Sequence, residues 1–160
     1  MVSKKSSSPD LLLKRLKKNV ELQPEKNAVT FLSNGSNGGK VEKQFTYRSL
    51  EQEVNSVAQR LVDAGISNGD RVVLVYPPSL DFMIAFLACL KAGIVAVPVF
   101  PPNPTRKDTI VMFSGIVEKS GSKVALTSIS YNHMKKLAGL KDTFKGFKNK
   151  KTNSQWPEDL

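Results

Sequence analysis

The sequence predicts an α/β fold: a layered, mainly parallel sheet with helices on both faces. Three observations point there. Val72–Tyr76, Ile94–Val97 and Val124–Thr127 are short, largely apolar runs rich in β-branched residues. Runs of this kind suit strands buried on both faces, as in a parallel sheet covered by helices. The segments before and between them carry apolar residues at helical spacing, and proline or glycine stands at each change of pattern.

The elements follow in order. Thr46 caps a helix that begins at Tyr47 or Arg48, and Leu50, Val54, Val57, Ala58 and Leu61 make one apolar stripe along it. Gly65 supplies the left-handed residue that ends such a helix, and Asn68-Gly69-Asp70 turns the chain into the first strand. Pro77-Pro78 closes that strand, because proline donates no ladder hydrogen bond. Ser79 then caps a helix with Asp81 in its first turn, where a carboxylate suits the dipole. Leu80, Met83, Ile84, Phe86, Leu87 and Leu90 wrap more than half of this helix, which marks it as deeply packed. Gly93 stops it, and Ile94–Val97 forms a buried strand closed by Pro98. A third unit follows: Ile110, Val111, Phe113, Ile116 and Val117 form a stripe, Gly121 ends it, and Val124–Thr127 is a short buried strand.

The apolar run over residues 72–106 raises the question of a membrane span. A spanning helix needs about 20 uninterrupted residues. Here the uninterrupted helical piece is Leu80 to Ala92, flanked by strands, so the run reads as a right-handed βαβ unit and argues against integral membrane insertion.

The chain divides by charge. Of 160 residues, 40% are apolar, which is enough for one ordinary domain with a hydrophobic core, and the formal net charge is +10. Residues 1–45 carry nine Lys/Arg against four Asp/Glu, residues 46–134 eight against seven, and residues 135–160 seven against three. Basicity therefore belongs to the ends, read as solvated flanks. A fold-borne nucleic-acid site would place basic and aromatic residues within the folded part. The division expected is a basic N-terminal helix with a Gly/Asn-rich loop region (1–45), an α/β domain (46–134) and a basic C-terminal tail (135–160).

At the N-terminal end, Leu12, Leu13, Leu16 and Val20 fall roughly on one face of a helix behind Pro9. This reads as a short amphipathic helix docking on the domain, with an organelle import signal as the alternative. No apolar secretory core follows, Val2 excludes myristoylation, and the Asn34-Gly35-Ser36 sequon carries little weight without a secretory signal. The single Cys89 precludes an internal disulfide and points to a reducing, cytoplasmic setting. At the other end Leu137, Leu140, Phe144 and Phe147 recur at helical spacing among lysines. Such a segment suits a membrane surface, calmodulin, or the rest of a larger fold.

No motif names a reaction. Gly39-Lys40 lacks the first glycine and the hydroxyl of a phosphate loop, Gly115–Gly121 has the wrong spacing, and no G-x-G-x-x-G occurs. His133 has no histidine companion, and Cys89 lies inside an apolar helix. No catalytic, cofactor-binding or metal-ligating residue is assigned.

In order and spacing, however, the motifs resemble a known family. Thr46-Tyr47-Arg48-Ser49-Leu50, Gly65 to Val72, Leu90 to Gly93 and Val95 to Pro98 are similar to the N-terminal part of the adenylate-forming (AMP-binding) superfamily. YPPSLDF and VPVFPPNPTR narrow the likeness to fatty-acyl-AMP ligases and the related domains of disco-interacting proteins. The resemblance covers about residues 10–130. It implies a chemistry in which ATP and a fatty acid give an acyl-adenylate, with magnesium on the phosphates. The acyl group then passes to the thiol of an acyl carrier protein or coenzyme A. The family's Thr/Ser/Gly-rich loop ending in Pro-Lys-Gly, its magnesium-facing Glu and its C-terminal catalytic lysine have no counterpart in these residues. No ATP or magnesium is therefore expected on this segment. The Ser79 helix start and the Phe100-Pro101-Pro102 turn could border an acyl or pantetheine channel, but strand-to-helix packing explains them equally well.

The leading expectation is an N-terminal fragment of a fatty-acyl-AMP ligase or acyl-CoA synthetase-like enzyme, inactive alone, whose partner is the remainder of the adenylation domain or a complementary chain. The alternatives are a non-catalytic interaction module and basic-end binding to anionic membrane or nucleic acid. Whether the chain is itself an enzyme stays open at this point.

Overall fold

A computed structural model describes residues 8–34, 39–103, 106–129 and 131. Among the described residues four helices and five strands run in the order α1 (Ser8–Leu22), β1 (Asn27–Asn34), β2 (Lys40–Thr46), α2 (Tyr47–Asp63), β3 (Arg71–Val75), α3 (Leu80–Lys91), β4 (Val95–Val99), α4 (Lys107–Ser120) and β5 (Val124–Thr127). The basic amphipathic segment expected around Leu137–Phe147, and His133, lie outside the described residues.

The centre is a three-stranded parallel sheet in the order β4-β3-β5. Val73 stands opposite Val97 on one side and Ala125 on the other. Val72, Val73, Leu74 and Val75 are each 0% exposed, so the central strand is buried on both faces, as its unbroken apolar run requires. Val72, Leu74 and Tyr76 face a cluster with Leu50, Val54, Leu61, Ile84 and Ala88 of α2 and α3. Val73 and Val75 face the opposite way, against Phe113 and the half-buried Ile116 and Val117 of α4. Helices therefore cover both faces. The step from β3 to β4 and the return from β4 past β3 to β5 reverse direction and also change face, so the two crossovers share one hand.

Local chemistry sets the boundaries. The side chain of Thr46 accepts from the Ser49 N–H while Ser49 Oγ accepts from the Thr46 N–H at 2.9 Å, a reciprocal cap that starts α2 at Tyr47. The whole expected stripe of α2, Leu50, Val54, Val57, Ala58 and Leu61, is buried. The three glycines expected as stops, Gly65, Gly93 and Gly121, adopt φ of 77°, 69° and 65°. At Gly93 the left-handed φ favours glycine, and an added Cβ would in addition lie 2.8 Å from Cγ of the exposed Asn68 side chain, which would have to move. Gly69 N–H donates to the Gly93 carbonyl at 2.9 Å, stitching the turn before β3 to the turn before β4.

Three expectations need correction. The Gly/Asn-rich loop region expected within residues 1–45 contains strands: β2 pairs antiparallel with β1 in a separate two-stranded ribbon. This ribbon has one packed side: Ala28, Val29, Phe31 and Phe45 meet the α2–α3 cluster while Leu32 and Val41 stay exposed. Leu16 of α1 joins the same cluster. Second, Pro98 does not close its strand. β4 continues to Val99 with Pro98 opposite Leu74, because β4 is an edge of the described sheet and an edge tolerates a missing donor. The same edge position leaves Val95 48% exposed, so β4 is half-buried and not covered on both faces; β5, at the other edge, is likewise half-buried. Third, of the stripe expected on α4 only Phe113 is buried, and Val111 is 71% exposed. Among the described residues no helix is long and apolar enough to cross a membrane.

Candidate functional site

Open α/β sheets place ligands at the carboxyl ends of their strands, where successive loops diverge. Here that edge gathers the segments following β3, β4 and β5.

After β3, Tyr76 is buried and Pro77-Pro78 ends the strand; Ser79 Oγ then accepts from Phe82 N–H at 3.2 Å, fixing the start of α3. Asp81 sits in that first turn, half-buried. Burial pushes its carboxyl above the usual carboxylate range, with Lys43 of β2 pulling the other way. After β4, Phe100 is 75% exposed while Pro102 is buried. The Pro102 carbonyl accepts from the Tyr131 hydroxyl at 2.9 Å. Further along, Asn103 N–H donates to Thr109 Oγ1 at 3.1 Å, tying the loop to the first turn of α4. At the end of β5 the Thr127 hydroxyl donates to the carbonyl of Val75, the last residue of β3, at 2.7 Å, and after β5 Tyr131 N–H donates to Ser128 Oγ at 3.2 Å. Two side-chain hydrogen bonds thus tie this end of the sheet together, one between the last residues of β5 and β3 and one from the segment after β5 to the segment after β4.

Between the first two segments opens a groove of about 310 Å³, lined by Tyr76, Pro77, Pro78, Phe82, Pro98, Val99 and Phe100. Its walls are rings and aliphatic carbon. Burial, and secondarily the nearby Asp81, push the Tyr76 phenol above its ordinary range, so near neutral pH it is a neutral hydroxyl. The groove can hold an apolar or flat group; Tyr76, the one lining residue with a polar side-chain atom, is itself buried, and no nucleophile and base meet in this lining. A smaller hollow of about 180 Å³ lies between α1, α2 and α3, floored by Leu13, Leu16 and Val54 and rimmed by Lys14, Lys17, Glu51 and Lys91.

These residues do not fit a magnesium-bound triphosphate. Three of the groove's residues are prolines, which have no N–H to offer a phosphate. Among the described residues no group of three or more His, Cys, Asp or Glu could hold a metal ion. Of the two near-miss phosphate loops, the first lies partly outside the described residues, with its Lys40 opening β2; the second forms no cradle, since Gly115 is inside α4 and Gly121 caps it.

The structure brings the two singled-out features side by side. Phe100 lines the groove, and the α3 start capped by Ser79 adjoins it through Pro78 and Phe82. Cys89 is 0% exposed within α3, a core residue as its setting implied. Sequence reasoning passed over Tyr76 as part of this edge, although a polar-tipped aromatic ending an apolar strand was a usable signal. Tyr131 lay in no periodic segment and carried none.

Comparison with known proteins agrees with this architecture. Residues 16–157 match the AMP-binding enzyme family. The chain is 33% identical over 115 residues to the medium-chain-fatty-acid–[acyl-carrier-protein] ligase JamA of Moorena producens, spanning 71% of this chain but only 19% of that protein. It is 40% identical over 92 residues to human disco-interacting protein 2 homolog A, spanning 56% of this chain and 6% of that protein. The crystal structure of the fatty acid AMP ligase from Legionella pneumophila superposes with a TM-score of 0.68 at 30% identity, covering 82% of this chain and 22% of that one. A Legionella fatty acyl-adenylate ligase in complex with acyl adenylate and pyrophosphate gives 0.67 at 32%, covering 78% and 20%. By sequence and by the layered parallel sheet alike, the chain belongs to the AMP-binding enzyme family and resembles the N-terminal region of its fatty-acyl-AMP and acyl-CoA ligases.

Proposed function

We propose that this chain supplies the N-terminal layers of a fatty-acyl-AMP-ligase-like enzyme and does not activate a carboxylate by itself. The observation that carries the reading is a mismatch. The fold follows the fatty acid AMP ligase of Legionella, yet among the described residues the groove at the carboxyl edge of its sheet is apolar and proline-rich, and no group of three or more His, Cys, Asp or Glu could hold a metal ion. Joined to the remainder of an adenylation domain, on the same or a complementary chain, it would contribute to ATP-dependent activation of a fatty acid as the acyl-adenylate. A carrier-protein or coenzyme A thiol would be the acceptor. A cytoplasmic setting is proposed with it, on the lone reduced Cys89.

Fatty-acid-dependent exchange of pyrophosphate into ATP tests this. The purified chain is expected to show no exchange, and co-expression with the portion of a fatty-acyl-AMP ligase that follows the matched region is expected to restore it. Exchange by the chain alone would refute inactivity. Failure of complementation, together with a stable complex formed with an unrelated protein, would favour a non-catalytic interaction module.

A further inference from the structure

The outward face of α1 has no counterpart in the reaction proposed above. Leu16 turns inward to the α2–α3 cluster, and Leu13 and Val20 are half-buried beside it. On the opposite side Leu11 is 61% and Leu22 70% exposed, and Arg15 and Lys18 stand between them, also exposed. The spacings of four, three and four put these residues along one line of the helix, and the two leucines are about 16 Å apart at 1.5 Å per residue. Among the described residues neither Arg15 nor Lys18 forms an ion pair. Along α1 as a whole the sequence sets Lys14, Arg15, Lys17 and Lys18 against two carboxylates, Asp10 and Glu21, so the helix keeps a net positive charge.

From this arrangement we infer that the outward face of α1 docks on an anionic membrane surface. Two exposed leucines separated by cations on a single line match a helix lying flat in the headgroup layer. The leucines enter the acyl boundary while the long basic side chains keep their charges at the phosphates. Charge complementarity selects an anionic lipid surface over a neutral one. A nucleic acid would engage the same cations but leave the leucines against phosphate, so the alternation favours lipid. The helix is held by its other face and needs no rearrangement to bind.

Co-sedimentation of the 160-residue chain with vesicles of phosphatidylcholine, with and without phosphatidylserine, is the test. Binding is expected only with phosphatidylserine, and it should weaken as salt rises. Arg15→Gln with Lys18→Gln should weaken it about 25-fold, roughly fivefold for each cation lost near the surface. Leu11→Ser with Leu22→Ser should weaken it by at least about tenfold at every salt concentration by removing buried methyl groups. All four positions are exposed, so unchanged urea midpoints are expected and will separate docking from folding. Equal binding to neutral vesicles would overturn the proposal. So would anionic binding that survives the leucine pair, which signals a bare polycation effect shared with nucleic acid. The basic residues at 135–151 are present in every variant, so binding indifferent to both α1 pairs belongs to them and also overturns it.

Discussion

Phe113 and Val111 lie two residues apart on α4, in one apolar stripe by sequence, yet the structure gives them opposite roles. Phe113 is 1% exposed and packs on Val73 and Val75 beneath the sheet, whereas Val111 is 71% exposed. Phe113→Ala removes most of a buried ring and leaves a cavity, a change that costs about 3–5 kcal/mol. Val111→Ala uncovers almost nothing, and alanine's better helix propensity offsets the small loss, so its effect should stay within about 0.5 kcal/mol. With a total stability of about 5–15 kcal/mol, the first variant should lose roughly a fifth or more of it. Urea unfolding followed by circular dichroism reads the difference. At a slope of about 2 kcal/mol/M, the Phe113→Ala midpoint should fall by roughly 1.5–2.5 M and that of Val111→Ala by less than about 0.3 M. Similar shifts in the two variants, with unchanged slopes, would refute the assignment of α4 to the second face of the sheet by way of Phe113.

Other perturbations probe the carboxyl edge and the core. Ser79→Ala should cost about 1 kcal/mol by freeing the Phe82 N–H, and Ser79→Asp should retain that stability; thermal melts compare them. Tyr131→Phe removes the hydroxyl that Pro102 accepts from, and a loss of about 1 kcal/mol on chemical denaturation is expected; no loss would mean the loop is held by packing alone. Burial lifts the Cys89 thiol from 9.0 up to about 11, so the folded state holds this proton more tightly than the unfolded chain. The resulting stabilisation is fully present below pH 9 and is lost as pH rises toward 11. Denaturation midpoints of the wild type should therefore fall relative to Cys89→Ala over that window, and an aromatic disulfide reagent at pH 8 should modify Cys89 only as fast as the protein unfolds.

What could be read from residues alone was whatever depends on short-range geometry. The stripe from Leu50 to Leu61, the Thr46 and Ser79 caps, and the glycine stops at 65, 93 and 121 all stand as the spacing implied, because backbone sterics and neighbouring donors decide them. The unbroken run Val72–Val75 likewise announced a strand covered on both sides. Tertiary structure decided the rest. Pro98 lies within a strand because β4 lies at an edge of the described sheet, and β2 exists despite polar Lys40, Glu42 and Gln44 because β1 pairs with it and Phe45 reaches the α2–α3 cluster. Val111 faces outward because a single helix face meets the sheet and Phe113 occupies it. The groove joins Tyr76 and Pro78 to Phe100 across more than twenty residues of chain. No local pattern encodes that meeting, because it follows from the parallel register that sets Val75 beside Val99.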